Sequence, residues 1–252
     1  MTAHRDRIAS RPSSVIAALG VAVCLLTATP AHATKSVVLP WIAQTRSARV
    51  LSSTLYVFVP GPGSHPVTIA LRKRGTPEAN PPKVTRAVAG GQTDPTPATF
   101  HTLFGQPDQI SFLVLTVDAD VAPVVSAAIT TAGPKTHHVV QGIPVDGGAG
   151  PGQAQFFAGL NQGSGTISTL FVMNPGPDSA QTDVIYRSPT GSVLATTAAA
   201  LLPGEMRQLD PPAAAGSTFT IEMRVRAGRL TGLELVTHAG GAEPAYVIGA
   251  TR

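Results

Sequence analysis

Apolar and polar residues alternate along short segments of the chain, and turns rich in glycine and proline separate these segments. In segment 65–74, Val67, Ile69 and Leu71 fall on one face, because successive side chains of a strand point to opposite sides. Segment 110–120 is a nearly continuous apolar run, which is typical of a central strand. The pattern predicts an all-β chain, whose other predicted strands are 53–59, 122–130, 166–174, 181–188, 217–226, 230–238 and 244–250.

Helical signals are weak by comparison. The best candidate is segment 195–202, with the sequence ATTAAALL. Neighbouring threonines and Pro203, directly after the segment, weaken a helical interpretation. We therefore expect no helix of three turns or more.

One twelve-residue sequence occurs twice. STLYVFVPGPGS begins at Ser53 and STLFVMNPGPDS at Ser168, and eight of the twelve positions are identical. In each copy a strand meets a proline, Pro60 or Pro175, which cannot donate to a strand ladder, and glycine then reverses the chain. Asn174 can also bond the backbone of its own turn. The repeat predicts one structural corner used in two copies of the same β-sandwich.

The two copies divide the chain into two units. Their spacing of 115 residues places the unit starts near Ser36 and Pro151. Segment 146–152, with the sequence DGGAGPG, lies at the join and has no bulky side chain, as is typical of a linker or a sharp crossing. We predict two β-sandwich domains, 34–147 and 148–252.

The start of the chain has the pattern of a secretory signal. Three arginines precede the apolar run SVIAALGVAVCLLTA, and AHA at 31–33 is a small-x-small cleavage site. A short membrane anchor is the alternative, but the run is shorter than the roughly 20 residues that a spanning helix needs. Val23, directly before Cys24, argues against lipid attachment. We predict a cleaved signal peptide at 1–33, a secreted or periplasmic protein, and no membrane span in the mature chain.

Composition narrows the class of protein. The predicted mature chain has 219 residues, with fifteen basic and thirteen acidic side chains. A net charge of +2 is too small for a nucleic-acid-binding surface. Cys24 is the only cysteine, so the mature chain would have no disulfide, no thiol nucleophile and no thiolate metal site. Charged residues make up only 13% of the chain, and 25 glycines with 23 prolines favour an all-β protein with many turns.

The second unit carries a recognisable order of strands and turns, and in this it resembles the immunoglobulin-like repeats of many exported bacterial proteins of uncharacterised role. The likeness covers most of 150–250 and, more weakly, 36–145, where Val59 replaces the asparagine and segment 75–98 is extra. It implies two tandem immunoglobulin-like β-sandwich domains, and it implies no functional residue because its motifs encode turns. The residues that carry it are GPGQAQFFAGL (150–160), TISTLFVMNPGPDSAQTDVIYRSPTGSVL (166–194), LLPGEMRQLD (201–210) and GSTFTIEMRV (216–225).

Motifs of known catalytic or cofactor sites are missing from the sequence. It has no G-x-S-x-G, H-E-x-x-H, P-loop or G-x-G-x-x-G, and GSG at 163–165 predicts only a turn before a strand. We therefore predict a protein that is not an enzyme, with no catalytic residue, no cofactor and no metal site.

Histidines and aspartates were weighed as metal ligands. His137 and His138 are neighbours, so on a strand they would point to opposite faces and chelate poorly; metal binding or pH sensing stays the alternative to a solvated strand start. Asp118 and Asp120 could share a face, but calcium needs several oxygen ligands, and a turn is the simpler interpretation. The remaining candidates are His65, His101 and His238, with Asp94 or Asp108 as further calcium ligands.

Basic side chains form two groups in the sequence. Arg224 and Arg226 alternate, which places both on a solvent face where they would protect an exposed sheet edge. Binding of an acidic glycan or envelope polymer is the alternative. The two groups are Arg72, Lys73, Arg74, Lys83 and Arg86 in the first unit, and Arg224, Arg226 and Arg229 in the second.

Trp41 is the sole tryptophan, and we expect it in the core or at the junction between the units. With one tryptophan and three tyrosines, the chain has few side chains from which to build a sugar-stacking platform.

These features predict a secreted, non-enzymatic protein that presents surfaces, in adhesion, envelope structure or protein binding. Its partner would be a protein or a cell-envelope polymer. One alternative is a periplasmic chaperone-like two-domain protein that lends an edge strand to a client. Another is a carbohydrate-binding or hydrolase accessory module.

Overall fold

The computed structural model describes residues 34–45, 50–75, 77–105, 109–120, 122–131, 137–163, 165–212, 218–238 and 245–252. These residues form four antiparallel sheets with one short α-helix and one 3₁₀ turn. The prediction of an all-β chain with two sandwiches is confirmed. The predicted signal peptide, 1–33, lies outside the described residues.

The first sandwich contains two sheets. One has the strand order β4-β3-β6-β1-β9 and the other the order β5-β2-β7-β8, where the elements are β1 Thr34–Gln44, β2 Leu51–Phe58, β3 Ser64–Lys73, β4 Lys83–Ala89, β5 Thr93–Thr96, α1 Thr99–Phe104, β6 Gln109–Asp118, β7 Val124–Thr131, β8 His137–Gln141 and β9 Ile143–Pro144.

The second sandwich repeats this plan strand for strand. Its sheets have the orders β13-β12-β15-β10-β18 and β14-β11-β16-β17, so every strand has the same neighbours as its counterpart. The strands are β10 Ala154–Asn161, β11 Thr166–Met173, β12 Ala180–Arg187, β13 Val193–Leu201, β14 Met206–Leu209, β15 Thr218–Ala227, β16 Thr231–His238, β17 Ala245–Ile248 and β18 Ala250–Thr251.

The repeated twelve-residue sequence occupies equivalent settings in both sandwiches. Ser53 and Ser168 are fully buried, and their hydroxyls donate to the carbonyl oxygens of Ala43 and Asn161, at 2.6 and 2.9 Å. These bonds tie the start of β2 to the end of β1, and the start of β11 to the end of β10. The sequence duplication is therefore a structural duplication.

Each repeated corner is closed by a glycine from a later turn. Gly91 donates to the carbonyl oxygen of Val59 at 2.9 Å, and Gly204 donates to that of Asn174 at 2.9 Å. Both glycines have positive φ, 73° and 75°, a backbone conformation that other residues rarely adopt. Asn174 also accepts from the N–H of Gly176 at 3.1 Å, so it bonds its own turn as predicted.

The strand order differs from that of an immunoglobulin constant domain in the pairing of the first, fourth and seventh strands, and β4 pairs here with β3. In that domain the first strand shares a sheet with the second, and the seventh shares a sheet with the sixth. Here β1 pairs with β6 and β7 pairs with β2, and the second sandwich does the same. Turn motifs do not specify these pairings, because the first and seventh strands of each sandwich pair with strands that are distant in the sequence.

The last strand of each sandwich changes sheets at a glycine. β8 pairs with β7, and after Gly142 the chain continues as β9 beside β1 in the other sheet. Gly249 makes the same crossing between β17 and β18. A Cβ atom at Gly142 would lie 2.6 Å from Val37, and one at Gly249 would lie 2.7 Å from Phe157. Both crossings therefore need glycine for space.

The helical content of the chain differs from the prediction at two places, segment 195–202 and helix α1. Segment 195–202, the best helical candidate, lies largely in strand β13, because pairing with β12 outweighs the helix propensity of its alanines. Helix α1 was not anticipated. Phe100 on this helix is fully buried in the first core, and the Thr99 hydroxyl donates to the carbonyl oxygen of Ser53 at 2.9 Å.

A bulge in the first strand of each sandwich marks the point where the copies diverge. The register of β1 shifts between Leu39 and Ile42, and that of β10 shifts between Phe157 and Leu160. Trp41 lies in the first bulge and is 2% exposed, whereas its counterpart Gly159 is exposed. The same local irregularity thus presents a large ring in one copy and no side chain in the other.

Trp41 packs at the junction between the two sandwiches. It is 2% exposed, which confirms the prediction that it is buried. Its ring centroid lies 4.6 Å from that of Phe171 and 6.3 Å from that of Tyr246, both in the second sandwich. Backbone bonds reinforce the junction, because Gly75 donates to the carbonyl oxygen of Met206 at 3.0 Å. Residues 32–252 form one compact unit, and the domain limits 34–147 and 148–252 stay a prediction.

Candidate functional site

The outer face of one sheet in the second sandwich is covered by the first sandwich. We name it the covered face, and its side chains alternate with those that point into the second core. Phe171, Met173, Met206 and Leu233 on this face are at most 2% exposed and belong to the apolar cluster of the first sandwich. The face therefore works as a docking surface within the chain.

The same face of the first sandwich has no such cover among the described residues. We name it the free face, formed by strands β5, β2, β7 and β8. Tyr56 and Phe58 on β2 are the counterparts of Phe171 and Met173, but both are only half-buried. Val124 and Val139, on β7 and β8, are 62% and 59% exposed. The free face thus leaves large apolar side chains in contact with solvent.

Strand register places the side chains of the free face next to one another. Phe58 lies opposite Val124 and Tyr56 lies opposite Ser126. The next strand adds Val139, which lies opposite Ala128. The described side chains of this face are uncharged, namely Ser52, Thr54, Tyr56, Phe58, Thr93, Pro95, Val124, Ser126, Ala128, Thr130, Val139 and Gln141. The face thus combines exposed apolar side chains with neutral polar ones, and large exposed apolar patches on folded proteins mark interaction sites.

A cavity of about 250 Å³ lies at the junction. Trp41, Phe171 and Tyr246 contribute its aromatic wall, and Arg74 donates to Gln208 at 2.8 Å along its side. Trp41 is 2% exposed, so it belongs to the packing of the junction and offers no exposed ring for a sugar to stack on.

The first basic group does not form a patch. Arg74 bonds Gln208 across the junction, Lys73 pairs with Glu78 at 2.7 Å, and Arg86 pairs with Asp94. Arg72 packs against Gly204, and burial lowers the pKa of its guanidinium. Four of the five cations are therefore engaged inside the molecule, and Lys83 is exposed on β4.

The second basic group also differs from the prediction. Arg224 and Arg226 do lie on a solvent face, but β15 runs between β12 and β10 in the middle of its sheet, so they protect no edge. Arg226 pairs with Asp183 at 2.5 Å, and Arg187 and Arg224 both bind Glu222. Burial alone would raise the pKa of Glu222, but the hydrogen bonds from the two arginines outweigh it and lower that pKa.

Arg229, the third member of that group, holds the connection between the sandwiches. Its Nη1 atom donates to the carbonyl oxygens of Asp146 and Gly148, at 2.6 and 2.5 Å. Ala149 and Leu230 exchange two backbone hydrogen bonds beside it, at 2.9 and 3.0 Å. The predicted linker is therefore tied to the second sandwich.

The candidate metal ligands are dispersed. Asp118 and Asp120 are both exposed, and Asp120 lines a cavity of about 550 Å³ with Lys35 and Asp146. His138 packs edge-on against Tyr246, with 5.7 Å between ring centroids. Within the described ranges, no three His, Cys, Asp or Glu side chains come close enough to hold a metal ion. Asp108 lies outside those ranges, as does the side chain of His137.

The second core contains two polar groups that the sequence did not single out. Glu234 is fully buried, and both its carboxyl oxygens lack a hydrogen-bond partner; the buried hydroxyl of Tyr186 lacks one too. Burial, with a smaller effect of Asp210, raises the pKa of Glu234 to about 8. Burial and the nearby Glu234 also raise the pKa of Tyr186. Glu234 is therefore held as a neutral acid near pH 7.

One sequence signal indicates that β2 is apolar on both faces. Residues 55–59, LYVFV, are all apolar, whereas a strand with one solvated face alternates. Leu55 and Val57 fill the core, so Tyr56 and Phe58 must occupy the opposite face. A continuous apolar run in a sandwich strand thus indicates that the outer face of the strand, like its core face, packs against another surface.

Comparison with known proteins adds little to this geometry. No protein-family model and no curated protein sequence matches the chain. A solved lectin from Pleurotus ostreatus, in complex with GalNAc, matches with 11% sequence identity and a TM-score of 0.26, over 87% of this chain and 77% of the lectin. In the part of the chain that the structure describes, no helix is both long and apolar enough to cross a membrane.

Proposed function

We propose that the protein is exported and acts as a non-enzymatic binding protein, with the free face of the first sandwich as its docking surface. One observation carries the proposal. The second sandwich uses the same face, built from the equivalent strands, to hold the first sandwich. The first sandwich keeps this face with Tyr56 and Phe58 at the matching positions, and it carries no charge among the described side chains.

The internal junction indicates the kind of partner. There the covered face receives the bulged end of β1, which presents the uncharged ring of Trp41. The free face would receive a protein that presents a similar strand end, with an aromatic side chain and no charge. A charged partner would lose hydration at this face without gaining an ion pair.

A pair of matched double variants tests the proposal. Val124→Lys with Val139→Lys places two charges on the free face, at positions exposed enough to leave the fold intact. Ile167→Lys with Leu202→Lys is the control, because these residues are 54% and 52% exposed on the second sandwich. Cell-envelope fractions and a panel of matrix proteins would serve as immobilised partners.

We expect the wild type and the control to be retained equally, and the free-face variant to bind at least tenfold more weakly. Equal retention of both variants would show that another surface binds. Retention on an isolated envelope polymer, with none on protein, would replace the protein partner by that polymer.

Export is tested separately. Cell fractionation and amino-terminal sequencing should find the protein outside the cytoplasm, beginning at Thr34. A cytoplasmic protein that retains residues 1–33 would overturn this part of the proposal without affecting the docking surface.

A further inference from the structure

Eight strands form the edges of the four sheets. Seven of them have features that prevent pairing with another chain. β9 and β18 have two residues each, β5, β14 and β17 have four, and β8 has five. β4 has seven residues but carries Lys83 and Arg86. These edges are short or charged, as in natural sheets that avoid edge-to-edge association.

β13 is different from the other edges. It has nine residues, Val193–Leu201, with the sequence VLATTAAAL and no charge or proline. It pairs with β12 on one side, and no described strand pairs with the other side. Every second residue of an antiparallel edge strand directs its N–H and C=O away from its neighbour. The register of β13 shifts at a bulge at Leu194. Residues Ala195–Leu201 therefore offer a regular row of outward-facing backbone groups about 24 Å long, at roughly 3.4 Å per residue.

The first sandwich has an equivalent edge strand with which β13 can be compared. β4 is the counterpart of β13 in the first sandwich and occupies the same edge. Its exposed Lys83 would place a charge at that edge if two copies met there, and its Arg86 is held there in an ion pair with Asp94. The second sandwich has only small or apolar side chains at this edge. The charged protection found on β4 is thus missing from β13, whose one such device is the bulge at Leu194 near its start.

We propose that β13 pairs antiparallel with β13 of a second copy of this chain. Two five-stranded sheets would then form one continuous ten-stranded sheet across a twofold axis near Thr197, the central residue of the strand. The strand is uncharged, so its self-pairing brings no like charges together, and its small side chains let two backbones approach to about 4.8 Å.

The surroundings of the edge fit this partner. Ala198 and Ala200 line a shallow cavity of about 230 Å³ with Arg226. Arg226 is already paired with Asp183 at 2.5 Å, so the edge does not need an acidic partner. One added strand buries far less than the roughly 800 Å² per partner of a standard interface. The dimer should therefore be weak and depend on protein concentration.

Sedimentation of the whole protein over a range of concentrations provides the first test. The mass should rise from that of a monomer towards twice that value. Ala198→Lys should weaken the dimer at least tenfold, because Ala198 is exposed and lies beside the proposed axis. Ala250→Lys is the control, since Ala250 is exposed on β18 at the opposite edge of the same sheet.

A cysteine scan provides the second test. In a Cys24→Ser background the chain has no cysteine, so each introduced thiol is read alone. Cysteines placed singly from Ala195 to Ala199 should give disulfide-linked dimers with one maximum near Thr197, and Ala250→Cys should give none. A monomer at all concentrations would overturn the inference, as would a dimer that Ala198→Lys leaves intact. A complex in which another protein's strand occupies β13 would also overturn it.

Discussion

Individual residues show where the two copies of the sandwich have diverged. Tyr186 and Glu234 lie in the second core at positions that Leu71 and Ala127 occupy in the first. Both polar groups lack a hydrogen-bond partner among the described residues, and a buried polar group without a partner costs about 1–3 kcal/mol. The first core shows that the fold does not need them. The pair therefore makes the second sandwich respond to pH in a way that the first cannot.

We predict that the protein loses stability between pH 4.5 and pH 8. The pKa of Glu234 is raised from 4.5 to about 8 in the folded chain, so the unfolded chain releases this proton first as the pH rises. The contribution of Glu234 to stability is full below about pH 4.5 and falls by about 1.4 kcal/mol per pH unit up to about pH 8. Glu234→Met should remove this slope in urea unfolding measured at several pH values. Glu78→Gln, at a surface ion pair, should keep it, and an unchanged slope in Glu234→Met would contradict the prediction.

Asn174 gives a second prediction at this scale. Its Nδ2 atom donates to the carbonyl oxygens of Asp178 and Leu202, at 2.7 and 3.1 Å, and the residue is fully buried. Asn174→Val copies Val59 of the first sandwich but leaves those carbonyls unpaired. We expect a loss of about 1–3 kcal/mol in the free energy of unfolding. An unchanged free energy of unfolding would contradict this prediction and would mean that water molecules donate to the two carbonyl oxygens in the variant.

Structural elements show which parts of the fold the sequence could predict. Both hairpin corners and most strands follow from period-two alternation and from proline and glycine positions, because these are local signals. β13 and α1 could not be predicted, since pairing with β12 and the burial of Phe100 are tertiary effects. The pairing of β1 with β6 and of β7 with β2 also could not be predicted, because these strands are distant in the sequence.

The candidate site was predictable to a lesser degree. The apolar run 55–59 indicates a strand covered on both faces, but the sequence does not show which copy leaves the second face open. That outcome depends on Trp41, whose bulge directs its ring to Phe171. Both basic groups looked like surfaces in the sequence, whereas in the structure most of their members bind specific partners.

The sheet-crossing glycines yield a prediction about elements. Gly142→Ala and Gly249→Ala would each place a Cβ atom within 3 Å of a core side chain. Such overpacking costs about 1–3 kcal/mol. Gly147→Ala is the matched control, because its Cβ would lie 3.5 Å from Ile143, an ordinary contact. Thermal unfolding should rank both crossing variants below the control, and equal midpoints would contradict the prediction.

At the scale of the whole molecule, Trp41 connects the two sandwiches. We predict that Trp41→Ala lowers the free energy of unfolding by about 3–5 kcal/mol, as large-to-small changes in cores do. It should also loosen the junction, so that calorimetry resolves two transitions and small-angle scattering gives a larger radius of gyration. Trp41→Phe keeps an aromatic contact with Phe171 and should keep one transition. A single transition and an unchanged radius in Trp41→Ala would show that backbone bonds alone hold the junction.

The two ends of the molecule differ, because the bulge of β10 carries the exposed Gly159 where the bulge of β1 carries Trp41. A third sandwich appended after residue 252 would meet a bulge with no ring to insert. A sandwich added before the first would instead find an aromatic receptor already in place. A longer relative built by further duplication should therefore have gained its extra copies on the amino-terminal side, each with a tryptophan or similar ring at the position of Trp41.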